Sequence, residues 1–411
     1  MTPSHTLSNE SPLAIPQFRA LWFGLIFMSS GVQFYAVALT WLVLELTGSS
    51  LQLGTILAIS AIPRALMMLL SGSLIDRGDP IRFLLGASLG NGIIVAGVAL
   101  LLGFDALTML VLTLAGVIMG LLDAFFYPTS YALLPRLVHP FRLARANALM
   151  QGADGLINMI APALSGLIIG WLGIPAALGL NAVLYLIGAI IVRGIGKISP
   201  VETDQRRETA WQSVRDGVRY AMKQPAIRLG LMAIAALNFA AIGPVVVGGA
   251  VLVQQRFNGD AEMYGIFLAA YGVGALIGSL IAGTIDAVER PGRMLIWTAI
   301  ALGVALIAIG FSQTFWAAFG LMAVSSVIVG GTMPFFSAWI QAETPMTMQG
   351  RIASLLTFSA VAVDPFSQGI AGALSQVDVT LAFSAAGVLL LIVGIGVFFS
   401  PTAHLKIELK T

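Results

Sequence analysis

"LTMLVLTLAGVIMGLL" (107–122) runs directly into "DAFFYPTSYALLPRL" (123–137), and the reading of this junction decides the fold. The first stretch is uncharged, and with its neighbours it is long enough to cross a bilayer. About 20 apolar residues in a helix, at ~1.5 Å each, span the hydrocarbon core. The run then ends on a carboxylate. An ionisable group inside a membrane helix costs roughly 2.5–3.5 kcal/mol on insertion scales. Asp123 therefore needs something that offsets its cost.

The rest of the chain has the same character. Of its 411 residues, 58% are hydrophobic and only 10% are charged, whereas a soluble domain is about one-quarter charged. This is the composition of a polytopic membrane protein. It has 45 glycines, as expected where membrane helices pack closely. The absence of Cys excludes disulfides, thiolate metal sites and Cys nucleophiles. His5, His139 and His404 are too dispersed for a metal site, so no metal or cofactor is expected. No G-x-x-x-x-G-K-[ST] loop occurs, so direct ATP hydrolysis is not expected. No segment outside the apolar runs is large enough for a soluble catalytic site, so the chain does not read as an enzyme or a nucleic-acid binder. The polar start, "MTPSHTLSNESPLAIPQ", lacks the basic residues of a cleavable signal peptide. It is expected to be a disordered tail.

Twelve apolar runs are legible, at about 18–45, 52–75, 82–104, 106–131, 147–170, 174–194, 228–253, 263–285, 294–312, 315–340, 353–375 and 380–400. The fold class expected is all-α, with twelve transmembrane helices in two pseudo-symmetric six-helix halves. The expected layout is a cytoplasmic tail (1–17), an N-terminal bundle (18–194), a cytoplasmic linker (195–227), a C-terminal bundle (228–400) and a second cytoplasmic tail (401–411). With the N-terminus cytoplasmic, nineteen of the 21 basic residues fall on the inner side. Arg256 alone lies outside, and Arg64 lies within a span. A miscounted helix would scramble this bias, so it supports the count as well as the direction. The halves are weakly alike. "VIMGLLDAFF" (117–126) matches "VIVGGTMPFF" (327–336), and "RANALMQ…APALSG" (145–166) matches "RIASLLT…GIAG" (351–372). Repeated six-helix units characterise many secondary transporters, which bind substrate near the midplane between the repeats.

"GSLIDRGDPIR" (72–82), between spans two and three, resembles the loop signature of the major facilitator superfamily at Gly72, Leu74, Asp76, Arg77 and Arg82. It departs at Asp79 and Pro80, where a Gly and a base are usual. The resemblance implies a conformational latch formed by Gly72, Asp76, Arg77 and Arg82, with Asp76 at the positive N-terminal end of helix eleven near Ser354. Four further stretches carry a more specific likeness: "WLVLELTGSSLQLG" (41–54), "DAFFYPTSYALLPRLV" with "RANALMQ", "APALSG" (161–166) and "WQSVRDGVRYAMKQPAIRLGLM" (211–232). Together they are similar to the superfamily branch that contains the enterobactin exporter and macrolide efflux pumps. The likeness implies export and names no substrate.

Four ionisable residues lie within spans and are the candidates for proton or substrate coupling: Asp123, Arg64, Asp364 and Asp154. Such groups face a partner or a water-filled cavity rather than lipid. Asp123, followed by Phe125, Phe126 and Tyr127, is expected either to bind a proton beside an aromatic path or to hold a buried ion pair with a base of the 72–82 loop. Arg64 either attracts an anionic substrate or pairs with Asp123 or Asp154. Asp364 is either a coupling group or a partner for Arg64 across the halves. Asp154 is expected to bond Asn158 one turn on. Candidates for the substrate cavity are Gln33, Tyr35, Phe126, Tyr127, Asn238, Tyr271, Phe336 and Trp339, each weighed against ordinary interhelical packing. In the linker, Trp211, Val214, Val218 and Met222 share one helical face, beside Arg215, Arg219 and Lys223. That pattern suits a helix at the cytoplasmic membrane surface.

The function expected is export of a small amphipathic molecule, drug-like or siderophore-like, by proton-coupled antiport with alternating access. The partners are a small-molecule substrate, protons and the lipid bilayer, and the protein is expected to be a monomer. An uptake symporter would share every feature above. A transporter-derived sensor or scaffold would have little reason to keep Arg64, Asp123 and Asp364 at such cost.

Overall fold

A computed structural model describes residues 11–196, 210–285, 291–345 and 348–399. The described residues are helical, with no strand among them. In chain order the α-helices are α1 (Pro16–Thr47), α2 (Ser50–Arg77), α3 (Pro80–Gly103), α4 (Met109–Asp123), α5 (Phe126–Leu137), α6 (Leu143–Arg193), α7 (Ala210–Lys223) and α8 (Pro225–Gly243). They continue with α9 (Gly249–Val251), α10 (Ala261–Ala282), α11 (Pro291–Phe311), α12 (Phe315–Ala342), α13 (Gln349–Val361), α14 (Asp364–Val377) and α15 (Val379–Phe398). Among the described residues, ten helical stretches are long and apolar enough to cross a membrane. One of them, 140–193, contains two spans, because Gly173 breaks α6 with φ +82°. A side chain strongly disfavours that backbone conformation, so glycine makes the turn. A further stretch, α13 with α14, covers the expected run 353–375 and is interrupted at Ala362–Val363. These two features bring the ten to the twelve spans expected.

Local chemistry explains where the helices begin. Prolines start α1, α3, α8 and α11, at a position where the missing N–H is not needed. Side chains of Asp79, Thr108, Asp260, Thr314 and Asp378 cap α3, α4, α10, α12 and α15. Asp79 and Pro80, the departure from the loop signature, thus acquire a local reason. Asp79 Oδ1 accepts from Ile81 N at 3.0 Å, and Pro80 occupies the first turn. Exposed Trp171 and Trp316 stand at span ends, as interfacial tryptophans do.

Packing divides the chain into two compact units, Met1–Leu39 with Ile62–Arg207, and Thr40–Ala61 with Glu208–Thr411. Residues 40–61, which the sequence assigns to the N-terminal bundle, therefore group with the C-terminal helices. The reason is a close seam. Ideal Cβ atoms built at Gly54 and Gly372 would each lie 2.8 Å from the other's Cα. Ser50 Oγ donates to Gly372 O at 3.1 Å, and Gln376 Oε1 accepts from the Leu51 N–H at 3.2 Å, capping the start of α2 from α14.

Small residues also join the other helices, since lipid supplies no hydrophobic drive between them. In the first unit Gly24 meets Gly188. In the second, Gly278 of α10 lies against the backbone of Val327 and Gly331, and Gly303 of α11 against Gly387 of α15. A matching polar device occurs in each unit. Buried Ser165 donates to the carbonyl of Phe34 at 3.2 Å, and buried Ser367 to the carbonyl of Phe239 at 2.5 Å. Helix α7 docks by Gly217 and Ala221 onto α13 and its neighbours, with Asp216 placed 4.0 Å from Arg351. The docked face is thus the small-residue one; Val218 and Met222 stay exposed.

Gly278→Ala is expected to lower thermal stability in detergent by about 1–3 kcal/mol, because backbone atoms block the new methyl. Gly320→Ala, on the open side of α12, is expected to leave the melting temperature unchanged. Equal effects at the two positions would contradict the seam.

Candidate transport site

In the first unit, four polar side chains converge from four elements. Asn91, eleven residues into α3, donates from Nδ2 to Asp123 Oδ1 at 2.7 Å. Asp123 closes α4, where the span is interrupted before α5 begins. Arg64 of α2 is near enough for its charge to act on Asp123, and the charge of Asp123 reaches Tyr35 of α1. The Tyr35 hydroxyl is buried without a hydrogen-bond partner among the described residues, as is Asn91 Oδ1. The cost of Asp123 is therefore offset by a donor and a cation from neighbouring helices. The spare hydroxyl and amide oxygen leave room for another hydrogen-bonding group.

A second polar contact in the same unit joins α1 to α6. Gln33 Nε2 donates to Asn158 Oδ1, and Asn158 Nδ2 donates to the backbone carbonyl of Asp154 at 2.8 Å. Asn158 thus bonds the main chain of Asp154 rather than its carboxylate, which is the part that sequence spacing could not resolve. The first helix carries Gln33 towards one neighbour and Tyr35 towards another.

The second unit centres on a defect in its first span. Ser367 Oγ of α14 accepts from Gly243 N at 2.8 Å and donates to Phe239 O at 2.5 Å. These two backbone groups are four residues apart, and one hydroxyl touches both. The close approach is possible because Gly243 has no side chain. Pro244 follows, without an N–H, and the chain continues as π-helical turns over Pro244–Gly248 and Leu252–Arg256. Such π turns are recognised causes of bent helices. The buried Tyr264 hydroxyl satisfies Val246 O at 3.0 Å. Asp364 is buried in the first turn of α14, beside the break in its span, with buried Gln368 one turn on. The Gln368 Oε1 has no hydrogen-bond partner among the described residues.

At the far end of the span that α8 begins, Arg256 gathers three segments. It donates to Gly310 O and to Thr380 Oγ1 (2.7 Å), and it lies 3.6 Å from Asp378. Bonds from the Thr380 backbone N–H and hydroxyl, with help from Arg256, hold the Asp378 carboxyl below the usual carboxylate range.

The structure brings Asp123, Arg64 and Tyr35 together and places Gln33 beside Asn158 and Asp154. Other expected residues lie elsewhere. Phe126 is packed in an apolar cluster with Phe18, Leu133 and Met150, and Phe336 and Trp339 in another with Ile227 and Ile352. These three are core side chains here. Asn238 bonds Ile234 O at 2.9 Å within its own helix, and Tyr271 is 42% exposed. Arg82 is exposed and sits 3.6 Å from Asp79. The side chains at 72, 76, 77 and 127 lie outside the described residues, and so does Trp211. Sequence reasoning missed Asn91, Ser367 and Gly243. An amide inside "GASLGNGIIVAG" (86–97) was the available signal for the first.

A twelve-span helical bundle with buried charges and interrupted spans defines the class of membrane transporters with the major facilitator fold. Two solved bacterial proteins share the fold. One is a homologue of the iron transporter ferroportin in an inward-facing state (TM-score 0.72, 20% identity, 95% of this chain and 100% of that one). The other is a homologue of the lysosomal transporter Spinster, inward-facing and unoccupied (TM-score 0.73, 13% identity, 95% and 97%). Within the superfamily the chain belongs to the transmembrane secretion effector family, whose pattern matches residues 7–408. It is 25% identical to the multidrug efflux pump Tap of Mycolicibacterium fortuitum, over 96% of this chain and 97% of Tap. It is 26% identical to the enterobactin exporter EntS of Escherichia coli O1:K1, over 92% and 90%.

Two outcomes are expected. Asn91→Ala should cost about 1–3 kcal/mol by leaving a buried carboxylate without its donor. In a double-mutant cycle with Asp123→Asn the coupling should exceed about 0.5 kcal/mol, and additive effects would show that the bond carries nothing. A depressed carboxyl contributes stability in full above its unfolded-chain value and loses it as pH falls through the lower folded value. The melting temperature of the wild type should therefore fall further between neutral pH and about pH 3 than that of Asp378→Asn.

Proposed function

We propose that this transporter exports a small amphipathic molecule, drug-like or siderophore-like, in exchange for protons by alternating access. The observation that carries the reading is the half-buried Tyr35–Arg64–Asn91–Asp123 cluster, set in a chain alike over nearly its whole length to two exporters. Asp123 is the proton-binding group and Arg64 its counter-charge. While ionised, Asp123 holds Asn91 of α3 and faces Arg64 of α2. A proton on the carboxyl removes the attraction to Arg64 and weakens the charge-assisted bond from Asn91. The helices are then less tightly tied, and Arg64 becomes available to an anionic group of the cargo. Proton and cargo thereby compete for the same set of side chains, which is the requirement for exchange rather than co-transport. Competition favours export over the symport reading.

Asp364 and Gln368 form a secondary polar site in the C-terminal helices, and the Gln33–Asn158 pair supplies directed hydrogen bonds. The 72–82 loop is the latch, through Gly72, Asp76, Arg77 and Arg82. The divisions at 18–194, 195–227 and 228–400 describe the repeats and the linker. The proposed setting is the bacterial cytoplasmic membrane, with both termini cytoplasmic and a monomer as the working unit.

The test uses everted membrane vesicles with an imposed proton gradient followed by a pH-sensitive dye. Addition of lipophilic drugs or siderophores is expected to collapse the gradient for at least one compound. Asp123→Asn should abolish the response. A substrate-linked collapse that survives in Asp123→Asn would remove this carboxyl from the mechanism. A gradient that drives accumulation of the compound on the proton-receiving side would establish symport instead.

A further inference from the structure

Helix α7 presents three kinds of surface in order around its circumference. Gly217 and Ala221 face α13 and are buried, with Val214 partly covered beside them. At 100° per residue, Val218 and Met222 form the next stripe, and both are exposed. Arg215, Arg219 and Lys223 form the stripe beyond it and are exposed too. Asp216 turns back towards Arg351, so its charge is directed away from that stripe. Arg228, exposed on the following helix, reaches the Met222 carbonyl at 3.5 Å and adds a fourth cation near the same end.

We infer that this surface of α7 is a binding site for the headgroups of anionic phospholipids in the adjoining leaflet. The order of the stripes is the argument. An apolar pair lies between the docked face and the cations, where a helix lying along the bundle edge meets the acyl boundary. The long basic side chains then extend towards phosphate. A free phosphate has no use for Val218 and Met222. An acidic protein partner would find the apolar pair on the side nearest the bundle rather than at the centre of the contact. The site is coupled to the span that carries Asp364, because α7 is fixed to α13 through Asp216–Arg351 and Gly217–Leu355. The inference rests on the proposed inside placement of the linker.

The test is native mass spectrometry of the full-length protein, purified and reconstituted with phosphatidylglycerol or phosphatidylcholine. Wild type is expected to retain phosphatidylglycerol in preference. The triple variant Arg215→Gln, Arg219→Gln, Lys223→Gln should lose that preference by about tenfold or more, from the usual contribution of basic residues at an anionic surface. Arg145→Gln with Arg193→Gln, two exposed cations elsewhere, should not lose it. Val218→Ser with Met222→Ser should weaken retention while the cations remain. Undiminished preference in the triple variant, or equal losses in the two cation sets, overturns the site. A soluble polyanion that binds wild type as tightly as phosphatidylglycerol overturns it as well. Placement is read separately: the chain has no Cys, so Gln224→Cys gives one reporter. Labelling of that reporter by an impermeant reagent from outside intact cells would refute the inside placement, independently of lipid retention.

Discussion

A chain inside hydrocarbon has no water to complete its hydrogen bonds, so each departure from a regular helix must be matched by a partner from the protein. The contact of Ser367 with α8 shows the constraint at work. One hydroxyl accepts from the Gly243 N–H and donates to the Phe239 carbonyl. Pro244 has no N–H to give, and in the π turns that follow it the Tyr264 hydroxyl bonds the Val246 carbonyl. The irregular stretch of this span thus receives two side chains from two other helices. The same constraint governs charge. Asp123 is tolerable because Asn91 and Arg64 reach it from α3 and α2.

Close backbone approach supplies the remaining cohesion. The seams at Gly54–Gly372, Gly278–Val327 and Gly303–Gly387 bring main chains together with no side chain between them. Such contacts are specific in register, since a shift of one residue replaces a glycine by a larger neighbour. Polar side chains then fasten what the glycines align, as Ser50 and Gln376 do at the start of α2.

The count of spans and most helix starts were legible in the sequence, because they depend on composition and on short-range chemistry. Apolar runs, basic loops and Asp–Pro or Thr caps act within a few residues of themselves. The partners of buried groups were less legible for a physical reason. A helix that is apolar all round gives no sign of its rotation, so nothing in α3 or α4 says that Asn91 and Asp123 meet. Phe336 and Trp339 read as cavity candidates and prove to be core for the same reason. The docking face of α7 was not legible because its buried side consists of Gly217 and Ala221, which carry little hydrophobic signal. The grouping of residues 40–61 with the C-terminal helices depends on contacts more than 300 positions apart in sequence.

That grouping has a mechanical side. The second helix belongs to both compact units, with residues 50–61 in one and 62–77 in the other. Pro63 sits two residues past the division and has no N–H to offer the carbonyl of Ile59. One rung of the α2 hydrogen-bond ladder is therefore missing, and the next residue along is Arg64. The guanidinium rides on the turn of α2 whose backbone resists bending least. Charge and a weakened turn thus occupy adjacent residues of one helix.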